Sequence, residues 1–256
     1  MEATWVHETQ RPRHGQRFQP THELELLPTA IAAARSLPGA HRGLRLVQEL
    51  AGPYGIPDIA AVVGPTTRLA ERLTLPVPPL LNEIDAGIVA ACSPLRGRSV
   101  EALARALGWA PASIRRRIPA LLRTNALGRT DGGTFIRPEG LAPLGTLYAI
   151  EAKVEDWRRA VGQARRYRTW ADGYVIVMGA VSSRGLEWLT TEVSRDDGGL
   201  LVNERWIRRP RKQTLPPARR LWAAEHVVAA SLAATSPQRD RTPADPPEGL
   251  RSSCPG

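Results

Sequence analysis

The chain has 256 residues, 42% of them hydrophobic, and a formal net charge of +10. This hydrophobic content is enough for a buried core, and the positive charge predicts a partner covered in phosphate, either nucleic acid or an anionic surface. No run approaches the ~20 apolar residues that span a bilayer, and the first residues lack the apolar core of a signal peptide. We therefore expect a cytoplasmic protein with no membrane partner.

The first third of the chain predicts part of an α/β domain. Residues 1–20 are polar and without a period, which predicts a flexible N-terminus. Within residues 21–81, the stretch 22–37 predicts a helix, and "LRLVQEL" and "DIAAVV" predict two strands joined by the turn-forming "AGPYGIP". The prolines of "LTLPVPPLLNE" then predict a linker.

Residues 82–145 have a different pattern, with three helices followed by a hairpin. "EIDAGIVAAC" predicts the first helix, and the second begins after Ser99 as its N-cap and stops at Gly108. "APASIRRRIPALLRTNAL" predicts the third, with an apolar stripe on one side and arginines facing outward. Asp131, Gly132 and Gly133 can make a tight turn between two short strands.

This order of elements resembles the winged helix-turn-helix, a DNA-binding module. The resemblance implies that the third helix enters the major groove and that the hairpin, or wing, contacts backbone or minor groove. Pro119 departs from the pattern, because a proline two turns into a helix removes a hydrogen bond and should kink it. The arginines could instead solvate a helix face, or the module could mediate formation of a homodimer. The nucleic-acid contacts implied by the resemblance are Ser113, Arg115, Arg116 and Arg117 on the third helix and Arg129 and Arg137 on the wing.

The strand pattern returns over residues 146–233. "LYAIEAKV", "YVIVMGAV" and "GLLVNERWIRR" predict strands, with a long helix between the first two. Alternation of strand, helix and strand around a central sheet predicts an α/β domain. Residues 234–256 are poor in apolar side chains and rich in proline, and they predict a disordered tail.

Lys153 is one of only two lysines among the 35 basic residues. Side chains alternate along a strand, so Glu151 and Lys153 project from one face while Ile150 and Ala152 are buried on the other. A surface ion pair would explain Glu151 and Lys153 equally well. Lysine, however, is a compact point charge with a tunable pKa, whereas arginine is a broad and permanently charged fork. The choice of lysine here therefore indicates chemistry.

Asp58 adds a second carboxylate to the same predicted sheet. It opens a strand after a turn that contains glycine and proline, where an acidic residue is poorly suited unless it has a partner. The pattern Pro57-Asp58, followed by Glu151-Ala152-Lys153 on a later strand, resembles the PD-(D/E)xK nuclease superfamily. That superfamily commonly has a short hairpin between the two acidic strands, and a winged helix inserted there explains the long separation in this chain.

The helix after the second acidic strand extends the resemblance. Gln163 and Tyr167 lie one turn apart and are similar to the Q-x-x-x-Y helix of several branches of the superfamily. The resemblance implies a catalytic role for Gln163 and a nucleic-acid contact for Tyr167. It also implies the fold: a restriction-endonuclease-like α/β core, with a mixed central sheet flanked by helices and an inserted winged-helix domain.

The implied activity is metal-dependent hydrolysis of DNA phosphodiesters. Mg²⁺, for which Mn²⁺ could substitute, would be bound by Asp58, Glu151 and the main-chain carbonyl of Ala152. Lys153 would hold the attacking water or offset charge that develops on the phosphate. One further carboxylate of the metal shell would come from Glu23, Glu25 or Glu49.

Two alternatives stay open at this point. A DNA-binding regulator or interaction protein could use the nuclease fold as a scaffold that does no cutting. A buried or occluded Asp58 would favour that reading, whereas an intact set of Asp, Glu and Lys favours the enzyme. RNA is an alternative substrate, because the metal chemistry is indifferent to the sugar.

Overall fold

The computed structural model describes residues 22–235. The predictions for residues 1–20 and for the tail beyond residue 235 lie outside this part of the chain, while residues 234 and 235, predicted to be disordered, still belong to a helix. The protein is α/β, with a mixed six-stranded sheet flanked by helices. None of the helices in the described part is long and apolar enough to cross a membrane.

The bounds of the helices and strands in the described part of the chain are as follows. The helices are α1 (Leu27–Arg35), α2 (Thr67–Thr74), α3 (Glu83–Ala91), α4 (Val100–Leu107), α5 (Pro111–Arg123), α6 (Trp157–Tyr167), α7 (Ser183–Arg195) and α8 (Pro217–Thr235). The strands are β1 (Leu44–Gln48), β2 (Ile59–Val63), β3 (Gly128–Arg129), β4 (Phe135–Ile136), β5 (Thr146–Lys153), β6 (Gly173–Met178), β7 (Gly199–Val202) and β8 (Arg205–Arg208). Short 3-10 helices cover Glu23–Leu26 and Ala40–Arg42.

The main sheet has the strand order β1-β2-β5-β6-β7-β8. The pairs β1–β2 and β2–β5 are antiparallel, the pairs β5–β6 and β6–β7 are parallel, and β8 is antiparallel to β7. Helices α6 and α7 make the crossover connections that the parallel pairs need. β2 and β5 are direct neighbours, although α2 to α5 and the small β3–β4 sheet lie between them in sequence.

Alternate side chains of the sheet are buried on its two faces. Tyr148, Ile150 and Ala152 of β5 pack in the cluster that contains α1. Leu147 and Ala149 point to the opposite face and pack in the cluster that contains α8 and the end of α6. This is the alternation predicted for "LYAIEAKV". Because both faces of the sheet are covered, the central strands are apolar almost throughout their length.

Helices α3 to α5 and the β3–β4 hairpin surround a core of their own. Ile88, Leu103 and Ile114 are among its fully buried side chains. The Ser99 hydroxyl accepts a hydrogen bond from the Ala102 N–H at 3.2 Å, which makes Ser99 the N-cap of α4 as predicted. Gly108 ends α4 with a φ of 68°, a left-handed conformation that favours glycine.

The hairpin and α5 also follow the predicted order of elements. The Gly133 N–H donates to the Thr130 carbonyl at 2.9 Å and closes the turn. Arg98 exchanges two backbone hydrogen bonds with Phe135, which adds an isolated β-bridge beside the hairpin. α5 continues through Pro119, so the proline does not end the helix. Its ring is exposed, and solvent can hydrate the carbonyl that loses its partner one turn earlier.

Helix α8 joins the inserted region to the sheet. Leu221 and Trp222 belong to the core around α3, whereas other residues of α8 pack against β5. Arg72 and Glu225 form a buried ion pair at 2.6 Å, and the same carboxylate accepts a hydrogen bond from the Leu80 N–H at 2.9 Å. Helix α8 therefore contributes side chains both to the core of the inserted region and to the cluster that contains β5.

Candidate active site

Asp58 lies where β2 begins beside β5. Ile59 pairs with Ile150, so Asp58 occupies the next position along, opposite Glu151. Asp58 Oδ2 accepts a hydrogen bond from the Ala152 N–H at 2.7 Å. The N–H and carbonyl of one residue in an extended strand point to the same side, so the Ala152 carbonyl also faces the Asp58 side. The two halves of the proposed motif therefore lie next to each other.

Glu151 is a buried carboxylate with one oxygen that lacks a hydrogen bond. Its Oε2 accepts a hydrogen bond from the Tyr167 hydroxyl at 2.7 Å. Its Oε1 lies 3.0 Å from Lys153 Nζ but accepts no well-aligned hydrogen bond from residues 22–235. Burial and the charge of Asp58 raise the pKa of Glu151, and Tyr167 and Lys153 only partly oppose this. The Lys153 ammonium pairs with this oxygen, and a bound cation would give it a second positive partner.

The Lys153 ammonium is enclosed by acceptors. Its Nζ lies 2.8 Å from Glu23 Oε2, 3.0 Å from Glu151 Oε1 and 3.2 Å from the Ala152 carbonyl. The side chains of Lys153 and Glu151 are only 7% and 1% exposed, so the surface ion pair that the sequence left open is instead a buried one. Burial disfavours the charge, but Glu23 and Glu151 outweigh this and raise the pKa of Lys153. The side chain is therefore a fixed cation.

Asp58 is half-buried. Burial is the largest influence on it and raises its pKa. The Ala152 N–H and the charge of Lys153 lower the pKa, whereas the charges of Glu23 and Glu49 raise it. The net shift of the Asp58 pKa is upward, and burial is its main cause.

Two of the three candidates for a further carboxylate lie at this centre. Glu23 contacts Lys153, as described above, from the 3-10 helix that precedes α1. Glu49 follows β1 with a φ of 47°, and its N–H donates to the Asp58 carbonyl at 3.0 Å. Glu25 shares the 3-10 helix with Glu23. Sequence spacing could not choose among the three, because the choice depends on how the helix docks on the sheet.

Helix α6 places Gln163 and Tyr167 behind β5, as its amphipathic pattern predicts. Gln163 Oε1 is buried and accepts no hydrogen bond from residues 22–235. The Tyr167 ring is 1% exposed, and its hydroxyl contacts both Glu151 Oε2 and the Ile56 carbonyl. The expectation that Tyr167 contacts nucleic acid is not met, because the ring is inside the protein. It instead holds Glu151 in position.

The candidate nucleic-acid contacts on α5 have different surroundings. Arg116 is exposed, and Ser113 is half-buried near the start of the helix. Arg115 is exposed and forms a 2.7 Å ion pair with Glu101 of α4. Arg117 donates two hydrogen bonds to the Asp85 carboxylate and thereby joins α5 to α3. Arg117 therefore has a structural partner, whereas Arg115 and Arg116 remain on the outer face of α5.

The two wing candidates also differ. Arg129 of β3 is exposed. Arg137 instead points inward, where its guanidinium donates to several main-chain carbonyls. The expectation that Arg137 contacts DNA is therefore not met, because its donors are used within the protein, and burial lowers its pKa. The acceptors of Arg137 are the carbonyls of Cys92, Pro138, Glu139 and Leu141.

The donor set at Asp58 suits a hard cation only in part. Within residues 22–235, no three Asp, Glu, His or Cys side chains are close enough to hold a metal ion by themselves. The oxygens available are two carboxylates and one carbonyl, and Mg²⁺ commonly binds through one or two carboxylates together with waters and substrate phosphate. The site therefore fits Mg²⁺ with open positions and does not fit a closed structural metal site.

The sequence analysis did not identify the exposed apolar residues of the loop that precedes Asp58. Tyr54 and Ile56, in the loop before Asp58, are both exposed although the loop is tied to buried residues of the α6 region. The signal in the sequence was an aromatic and a β-branched residue in a turn rich in glycine and proline.

Comparison of the chain with protein-family models, with curated proteins and with solved structures found no match.

Proposed function

We propose that this chain is a metal-dependent DNA nuclease of the PD-(D/E)xK type that also binds DNA through a winged-helix module. The observation that carries the proposal is the meeting of Asp58, Glu151 and Lys153 at one end of two neighbouring strands. Asp58 is far from the other two in sequence, and Glu151 and Lys153 are buried charges that are costly to keep without a use.

The oxygens around Asp58 support Mg²⁺ or Mn²⁺ as the cofactor. Asp58, Oε1 of Glu151 and the carbonyl of Ala152 would hold it, and all three are the oxygen ligands that hard cations prefer. When bound, the ion would offset negative charge on the scissile phosphate. Tyr167 would keep one oxygen of Glu151 occupied and so fix the direction of the other.

Lys153 would act as a fixed positive charge. Its raised pKa keeps it protonated at neutral pH, so it donates hydrogen bonds and does not accept a proton. An ammonium next to Glu151 could orient the attacking water or stabilise charge on a non-bridging phosphate oxygen. A second acidic residue at the centre, Glu23, would keep the ammonium in place.

The inserted region supports a DNA-binding role. Three helices and a hairpin follow in the order of a winged helix-turn-helix, and Arg98 forms an isolated β-bridge to the hairpin. Arg115 and Arg116 on α5, together with Arg129 on the hairpin, are exposed cations in a chain of net charge +10. Ser113 near the start of α5 would add a polar contact.

A second candidate function is a non-cleaving DNA-binding regulator. The observation that favours it is the Lys153 ammonium itself, which already lies within 3.0 Å of Glu151 Oε1 and within 2.8 Å of Glu23 Oε2. A lysine in that position could neutralise the carboxylates in place of a metal. The half-buried Asp58 carboxylate favours the enzyme instead.

The deciding experiment incubates the purified chain with single-stranded, duplex and branched DNA, and with RNA, in Mg²⁺, Mn²⁺ or chelator. We expect cleavage of DNA that requires the metal and is lost in Asp58→Ala and Glu151→Gln. Lys212 is the second lysine of the chain and is exposed, so Lys212→Arg controls for effects of mutating and purifying the protein. Binding of DNA without cleavage under all metal conditions would support the regulator.

A further inference from the structure

The loop between β1 and β2, residues 51–57, exposes apolar side chains beside the candidate centre. Tyr54 is 44% exposed and Ile56 is 57% exposed, and Asp58 follows within the next few residues. Single exposed apolar side chains are common on proteins. Two of them next to a candidate metal ligand form a local surface for which folding alone gives no reason.

The backbone of this loop is fixed. The Gly52 N–H donates to the Gly55 carbonyl at 3.2 Å and closes a turn. Trp170 Nε1 donates to the Tyr54 carbonyl at 3.2 Å, and the Tyr167 hydroxyl contacts the Ile56 carbonyl at 3.0 Å. Both tethering side chains are buried. The Tyr54 and Ile56 side chains are therefore presented by an ordered backbone, which lowers the entropy cost of binding a ligand.

Positive charge accompanies the exposed ring. The Arg219 guanidinium carbon lies 5.9 Å from the Tyr54 ring centroid and 5.4 Å from that of Trp222, and the two rings meet edge to face. Arg219 Nη2 pairs with Glu83 at 2.9 Å, and its side chain is 32% exposed, although Nη1 itself is buried. An aromatic ring beside a partly exposed cation is the combination that binds a base and its phosphate.

We propose that Tyr54 and Ile56, with Arg219 beside them, form a stacking surface for unpaired nucleotides next to the scissile phosphate. This inference rests on the proposed nuclease function and names its substrate class. The faces of bases are hidden inside a continuous duplex, so a stacking surface can act only where bases are unpaired. The substrate is therefore single-stranded DNA, or the unpaired part of a branched duplex.

Binding without cleavage tests the surface. The full chain and its variants are titrated into fluorescent oligothymidine and into a blunt duplex of equal charge, both in EDTA. We expect Tyr54→Ala to weaken oligothymidine binding about tenfold or more, as loss of one base–aromatic contact does, with a much smaller effect on duplex. Tyr54→Phe keeps the ring and should retain parental affinity. The matched control is Trp188→Ala, which removes a 55% exposed aromatic on α7, the helix between β6 and β7.

Each outcome separates this inference from the nuclease proposal. Equal affinity of Tyr54→Ala and the parent for oligothymidine, or an equal loss on both DNAs, would overturn the stacking surface. If Tyr54 determines oligothymidine binding but no DNA is cut in Mg²⁺ or Mn²⁺, the surface stands and the nuclease proposal fails. If the parent cuts DNA and Tyr54→Ala keeps the parental preference among single-stranded, branched and duplex substrates, the nuclease stands and the surface fails. Thermal melts of all variants confirm that they are folded.

Discussion

The Asp58 carboxylate and the Ala152 N–H, 94 residues apart in sequence, are joined by a hydrogen bond of 2.7 Å. This bond continues the β2–β5 ladder for one more position with a side chain in place of a backbone carbonyl. It is possible because residues 64–145 leave and return at neighbouring antiparallel strands. The inserted region therefore adds a surface without separating the two parts of the candidate centre.

Lys153→Arg should retain DNA binding and lose cleavage. The ammonium is buried among three oxygens within 3.2 Å, and a longer planar guanidinium does not fit such a compact site. We expect cleavage to fall about 100-fold or more, the effect of losing one positioned electrostatic group, while affinity measured in EDTA is unchanged. Lys212→Arg is the matched control. Parental cleavage by both Lys153→Arg and Lys153→Ala, with Asp58→Ala inactive, would make Lys153 a structural charge only.

Tyr167→Phe should shift the pH dependence of cleavage. The Tyr167 hydroxyl lowers the pKa of Glu151, so its removal raises that pKa and leaves more of the carboxylate protonated at a given acidic pH. Cleavage that needs ionised Glu151 should then fail at a higher pH than in the parent. Tyr174→Phe, which removes a hydroxyl 3.3 Å from Asp196, is the control for a buried tyrosine outside the site. If cleavage by Tyr167→Phe failed at the same acidic pH as cleavage by Tyr174→Phe, this would argue against a role of Tyr167 in positioning Glu151.

Replacing Arg115 and Arg116 together with alanine should weaken duplex binding and reduce its dependence on salt. Each lost phosphate contact removes about one unit from the slope of log affinity against log salt. Arg117→Ala should act differently, because Arg117 is bound to Asp85 between α5 and α3, and its main effect should be a lower melting temperature. Arg195→Ala on α7 serves as the control for loss of an exposed cation. An unchanged slope would indicate that α5 contacts a protein instead.

Glu225→Gln should destabilise the whole chain. The Arg72 and Glu225 side chains are each 1% exposed, and removing one partner of a buried ion pair costs about 3–5 kcal/mol because the other charge stays buried. Denaturant unfolding should report this as a lower midpoint. The double replacement Arg72→Met with Glu225→Leu should recover much of the loss. Glu101→Gln, in an exposed pair with Arg115, should change the midpoint little. A small effect of Glu225→Gln would show that water reaches Arg72.

Cys92 should be unreactive in the native protein. Burial raises the pKa of its thiol to about 11, so below that pH the thiol is protonated, and the thiolate that reacts with disulfide reagents is scarce. In a Cys254→Ser background, we expect slow labelling at pH 8 that becomes fast in denaturant, when both the exposure and the pKa return to ordinary values. Fast labelling of the folded protein would indicate that the α3 end opens.

The sequence by itself determined the local structure. Ser99 and Gly108 mark the two ends of α4 because capping and left-handed conformations depend on one residue and its immediate neighbours. The alternating pattern of β5 and the amphipathic pattern of α6 predicted which sides are buried, since period and burial are linked within a single element. Asp58, Glu151 and Lys153 were also predicted from local features, namely an acidic residue at a strand start and a rare lysine two residues after a glutamate.

Only the tertiary structure decided what these residues contact. Tyr167 and Arg137 were expected at a nucleic-acid surface, yet one supports Glu151 and the other binds main-chain carbonyls inside the inserted region. Glu23 became the partner of Lys153 through the docking of a 3-10 helix, and α8 was shared between two cores. Such contacts depend on long-range packing, in which a short sequence pattern fixes the face of a side chain but not the element that covers it.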